Sequence, residues 1–188
     1  MDVFEAIKTR RSVRAYSACP IPGVVLERLA QAMRAAPSAC NYQPWHFIWV
    51  MKEQIRRGIA KAANDKGWLT DAPIIVVACG FPEQAYSRMG GYGNSVDIDV
   101  AIAIDHLTLA AVAEGLGTCW TGAFNEARIK ELLNIPAAAK VVAMTPLGFP
   151  ASLDLLYPLA DNQRKPLNQI LSTDHYAGPP LKTDYPGS

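Results

Sequence analysis

The chain switches between helical and extended hydrophobic periods, and each switch marks an expected element. Val3, Ala6 and Ile7 share one face at helical spacing with Phe4 beside them, so a short helix is expected over 2–10, with Asp2 at its positive end. Pro20, Pro22 and Gly23 break the chain before Leu26, Leu29 and Met33 resume the helical spacing, and Pro37 stops it. Residues 37–44 are irregular, 45–51 are aromatic and β-branched like a strand, and 52–63 read as an exposed helix. The unbroken run Ile74-Ile75-Val76-Val77-Ala78-Cys79 fits a strand covered on both faces.

A glycine-rich loop, 86–95, leads into the longest apolar segment, 96–116. Asn94 or Ser95 is placed to cap it, Asp97 and Asp99 suit its positive end, and Gly117 ends it. Its length approaches that of a membrane span, but Asp99, Asp105, His106 and Glu114 inside it are costly in lipid. Apolar side chains nearly all round predict burial on several sides, by a sheet and by a partner subunit. A homodimer with this helix near the seam is therefore expected, and Asp105-His106 reads as a satisfied buried pair or a dimer contact. Residues 119–124 read as extended, Asn125 caps a helix to 133, and 140–147 form another strand. The pattern describes one domain mixing α and β, followed by a polar tail over 172–188 that either dangles or wraps a neighbouring subunit.

Composition narrows the function classes. In 188 residues, 50% are hydrophobic and 19% charged, which excludes a disordered chain. The net charge of +1 gives no global field for nucleic acid. Cys19, Cys40, Cys79 and Cys119 form no C-x-x-C pair, and no basic segment leads into an apolar one at the start, so reduced thiols and a cytoplasmic location are expected. His46, His106 and His175 make no metal motif, no G-x-S-x-G elbow occurs, and no metal site is expected.

Several segments carry candidate chemistry. Arg10-Arg11-Ser12-Val13-Arg14 follows the first helix; its guanidinium groups and hydroxyl suit phosphate, or else form a solvated basic patch. Arg164-Lys165 is a second basic pair. Ser38, Asn41 and Gln43, stiffened by Pro37 and Pro44, offer groups that can read the polar edge of a heterocycle, or form an ordinary loop. Cys40 reads as a small packed side chain. Gly90-Gly91-Tyr92-Gly93 reads as a flexible loop, and the glycines Gly115 and Gly117 follow a helix instead of opening one, so no Rossmann phosphate turn is present. Thr121 and Gly122 leave backbone groups open near the exit of the long helix.

Taken in order, Arg10–Arg14, the run 36–45, Leu109-Ala110-Ala111, the stretch 115–122, Leu147-Gly148-Phe149-Pro150 and Arg164-Lys165 resemble the nitroreductase family of FMN-dependent oxidoreductases, over 1–171. The resemblance implies an α+β fold, a three-layer α/β/α sandwich around a mixed, largely antiparallel sheet, assembled as a homodimer with flavin sites at the interface. It implies that Arg10, Arg11, Ser12 and Arg14 hold phosphate, ribityl and pyrimidine groups. Pro37, Ser38 and Asn41 would come from the other subunit, and Thr121-Gly122 would approach the flavin. Arg164 or Lys165 would complete the phosphate clamp, and 64–68 align loosely with another ligand segment. NADH or NADPH would reduce FMN, which would then reduce a small nitroaromatic, quinone or similar acceptor in a ping-pong cycle, with hydride transfer done by the flavin and no catalytic side chain. Other flavin chemistry (fragmentation, dehalogenation, ring oxidation) and a non-catalytic flavin sensor or storage dimer remain open; neither nucleic acid nor membrane is expected as a partner.

Overall fold

The computed structural model describes residues 1–91, 93–158, 160 and 163–180. The chain groups into two units, 1–158 and 159–188. The tail expected over 172–188 falls in the second, and its residues 181–188 lie outside the described ones, as does Tyr92. The second unit contains a short 3-10 turn, Leu167–Gln169.

In the first unit, four strands, β1 (Trp45–Val50), β2 (Ile74–Gly80), β3 (Gly117–Thr118) and β4 (Lys140–Gly148), form one sheet in the order β1-β2-β4-β3. Among the described residues the three strand pairs are antiparallel, and a parallel bridge joins Ser12 to Thr118. The pleat of β2 divides the core in two. Ile74, Val76 and Ala78 face α2 (Gly23–Arg34) and α5 (Val96–Ala113), together with Leu29, Met33, Ile104 and Leu107. Ile75, Val77 and Cys79 face α3 (Glu53–Ala62), α4 (Trp68–Asp71) and α6 (Glu126–Leu133), with Ile59, Leu69 and Ile129. Both faces of the sheet are covered, which explains why β2 is apolar throughout.

The helix ends follow their polar residues. Asp2 accepts from Glu5 N–H while Glu5 accepts from Asp2 N–H, a capping box that starts α1 (Val3–Thr9). Asn125 Oδ1 accepts from Arg128 N–H at the head of α6. At the head of α5 the cap is Asn94, whose Oδ1 accepts from Val96 N–H at 3.1 Å; the Ser95 hydroxyl makes no cap bond.

The helix expected over 2–10 forms as α1, in which Ala6 is buried and Val3, Phe4 and Ile7 are exposed. Of the two readings of Asp105-His106, the pair buried within one chain is not found, because Asp105 is exposed and α5 buries the face bearing Val100, Ile104, Leu107 and Ala111; the dimer-contact reading stays an expectation. The turn α4 was not anticipated. No helix among the described residues is long and apolar enough to cross a membrane.

Candidate functional site

α1 stops at Arg10, whose backbone leaves the helical region (φ −55°, ψ 128°) and runs extended beside β3. Val13 N–H donates to Thr118 O at 2.9 Å and Ser17 N–H to Phe149 O at 2.8 Å, which pins both ends of the segment. Val13 and Tyr16 are turned inward and buried, while Ser12 before them and Arg14 and Ala15 between them are exposed. The Tyr16 hydroxyl donates to Val13 O at 2.5 Å, and burial pushes its phenol far above its ordinary pKa, so it is a fixed neutral strut.

The arginines differ in what they do. Arg11 Nη1 reaches Asp154 O at 3.3 Å, which ties the 3-10 turn Leu153–Leu156 to the segment. Arg14 lies over the Trp68 ring, 5.9 Å from its centroid. Among the described residues, no carboxylate pairs with Arg10, Arg11 or Arg14. Their charge is unspent, as an anion site requires.

Thr121 and Gly122 divide their roles. Thr121 is buried, exchanges both backbone bonds with Met144 and donates its hydroxyl to Cys119 O at 3.3 Å. Its side chain is therefore engaged inside the fold. Gly122 is exposed, and a Cβ built on it would meet only Trp120 Nε1, at 3.6 Å, so a flat ligand has open access to its backbone. Lys66 Nζ donates to Ala123 O at 3.3 Å, and Trp68 lies under Arg14, so the turn 64–68 joins both pieces. Sequence reasoning aligned this turn only loosely. Its signal was Asn64-Asp65, polar residues that accept the left-handed φ values of 61° and 52° found here.

The loop 37–43 is built separately. Ser38 Oγ accepts from Gln43 N–H at 2.9 Å, Ser38 O accepts from Asn41 N–H, and Gln43 Nε2 donates to Asn41 Oδ1 at 3.1 Å. Cys40, Asn41 and Gln43 all have positive φ, so the loop is wound tightly, and Pro37 and Asn41 stand exposed. Cys40 is exposed, not packed as expected, because its left-handed backbone turns it out of the fold.

These two polar surfaces do not meet within one chain. Arg10 and Arg11 border Thr108, Val112 and Leu116 at the C-terminal end of α5. Ala39 N–H instead donates to Asp99 Oδ1 near its N-terminal end. At the helical rise, Asp99 and Val112 are about 20 Å apart. Arg164 and Lys165 are exposed in the second unit, where Arg164 Nη1 donates to Gln163 O.

A groove of about 650 Å³ runs between α3 and α6, past Lys61, Arg128 and Leu132; Asn64, from the loosely aligned segment 64–68, lines it, and the basic segment, the 37–43 loop, Thr121 and Gly122 do not. No three His, Cys, Asp or Glu side chains gather to hold a metal among the described residues. The donor set at the α5 C-terminal end, unpaired guanidinium groups, the Ser12 hydroxyl and an open glycine backbone, fits a planar cofactor bearing a phosphate.

The family model of the nitroreductase family matches residues 7–68 and 63–149. Among solved structures, a nitroreductase family protein from Clostridium difficile 630 superposes with a TM-score of 0.82 and 29% identity, over 94% of this chain and 100% of that one. The NADH dehydrogenase of Thermus thermophilus is 26% identical over 91% of this chain and 95% of its own length. Iodotyrosine deiodinase 1 of Mus musculus is 30% identical over 92% of this chain and 69% of its own.

Proposed function

Because the chain belongs to the nitroreductase family, we propose that it is an FMN-dependent, NAD(P)H-using oxidoreductase acting on nitroaromatics, quinones or similar electron-poor acceptors. FMN, when bound, would supply the redox chemistry between nicotinamide and acceptor. The protein's task is to bind, orient and tune. Arg10 and Ser12 face the phosphate and ribityl groups. Arg14, aimed by Trp68, offers a cation to the pyrimidine edge, where charge develops on reduction. Gly122 leaves the flavin edge open.

The observation that carries this reading is the separation of the two polar surfaces along α5. A two-fold axis near the middle of that helix brings the Ser38–Asn41 loop of one subunit to the arginines of the other. The same association covers the exposed apolar side chains of α1 (Val3, Phe4, Ile7) and Ile98 of α5. The working form in this reading is a homodimer with two shared sites. The test is spectroscopic. Purified protein with FMN is expected to be yellow, to bleach on anaerobic addition of NADH or NADPH, and to regain colour with a nitroaromatic or quinone. A flavin that neither nicotinamide reduces sinks the reading.

The likeness to iodotyrosine deiodinase 1 favours a second reading, reductive dehalogenation on the same scaffold. Halide release from a halogenated phenol by reduced protein, without reaction of a nitroaromatic, selects it.

A further inference from the structure

Asp99 is a carboxylate in the middle of a domain, 2% exposed, on the apolar helix α5. Burying a charge is costly unless it is bonded, and here both oxygens are used. Oδ2 accepts from the Ser95 hydroxyl at 2.6 Å, and Oδ1 accepts from Ala39 N–H at 3.0 Å. Ser95, itself buried, also accepts Tyr86 N–H on its Oγ at 3.1 Å. Tyr86, Ser95, Asp99 and Ala39 thus form one hydrogen-bonded chain. It joins the start of the glycine-rich loop and the head of α5 to the loop 37–43. Ala39 is the residue immediately before the left-handed pair Cys40 and Asn41, which costs energy to hold. A charged acceptor on the adjoining N–H fixes where that pair begins.

We infer that Asp99 is the positioning residue for the Ser38–Asn41 face of the flavin site, and that it serves the site built on the partner subunit's arginines. This rests on the proposed function: the loop matters to catalysis only if it reaches flavin. Asp99 touches no ligand itself. Its carboxylate holds the loop backbone, and the loop presents Ser38 and Asn41.

The experiment compares wild type, Asp99→Ala, Asp99→Asn and Ser95→Ala for FMN affinity by fluorescence titration. Dimer mass, circular dichroism and deuterium uptake of the 37–44 peptide without FMN are measured alongside. Losing charge-assisted bonds from a buried group predicts about 10- to 100-fold weaker FMN binding in Asp99→Ala, with the dimer retained. Faster deuterium uptake confined to 37–44 and the adjoining 86–95 loop is expected too. Asp99→Asn keeps an acceptor for Ala39 N–H and restores binding to within about threefold. Ser95→Ala gives a smaller loss in the same direction. If Asp99→Ala is unfolded, Ser95→Ala decides, and unchanged FMN affinity in it overturns the role.

A heterodimer of one Asp99→Ala and one Arg14→Ala chain tests the across-subunit claim. Shared sites place both lesions in one site and leave the other intact, so half the FMN binds with wild-type affinity. Two weakened sites, neither with wild-type affinity, overturn that claim. Wild type that takes FMN while Asp99→Ala binds equally well and shows unchanged uptake overturns Asp99 alone. Wild type that never takes FMN overturns the proposed function, and the role of Asp99 with it.

Discussion

Val13 packs directly on Gly117: a Cβ placed on that glycine would lie 2.8 Å from the Cβ of Val13. The contact sets how closely the arginine segment approaches β3, and with it the bond from Val13 N–H to Thr118 O. Gly117→Ala is expected to push the segment outward, costing about 1–3 kcal/mol of stability as an overpacked core does. FMN affinity should fall as well, since Ser12 and Arg14 ride on the same backbone. Urea unfolding and flavin titration of this variant check both effects; an unchanged unfolding midpoint contradicts the packing argument.

Arg14 and Trp68 make a second testable pair. Trp68→Leu removes the aromatic face beneath the guanidinium, an interaction of about 0.5–1 kcal/mol at a partly exposed site. The expected result is a lower flavin reduction potential with modest loss of FMN affinity. Arg14→Ala should lower the potential further, because the cation itself is gone. Spectroelectrochemical titration of wild type and both variants orders the three; potentials that coincide rule out tuning by Arg14.

Cys79 gives a pH dependence. Burial pushes its thiol from 9.0 up to about 11, with Lys130 pulling weakly the other way. A raised folded value means that the contribution is whole below pH 9.0 and is lost as the pH climbs through about 11, because the unfolded chain deprotonates first. About 2–3 kcal/mol of stability should disappear across that window. Cys79→Ala is expected to flatten the alkaline limb at a small packing cost, measured by urea unfolding from pH 8 upward.

Much of the fold was visible in the sequence where one physical rule dominates. The unbroken apolar run of β2 announced a sheet covered twice, and Asn125 announced the start of α6, because burial and capping act locally. An all-apolar helix does not reveal which side faces its own sheet, so the sequence left Asp105 between a buried pair and a dimer contact. In α1 the period of Val3, Ala6 and Ile7 announced the helix but not which of its residues the fold buries, which is Ala6. The residue types of the basic segment 10–14 left an anion site and a solvated patch both open, and only the order of the segments along the chain pointed to the first. The segment 64–68 aligned only loosely, since what brings Trp68 to Arg14 and Lys66 to Ala123 is a turn whose left-handed Asn64-Asp65 step has no periodicity to read. The role of Asp99 was read as a response to the helix dipole; only tertiary structure shows its partner to be a loop sixty residues earlier in the chain.

In the proposed homodimer, the outward apolar side of α1 would tie persistence of the native state to dilution. If those side chains are shielded by a second copy, every association event contributes to folding free energy by mass action, and melting shifts upward as protein is concentrated. Cofactor retention then follows the same law, so a sample diluted far enough should shed its colour before it loses its helices.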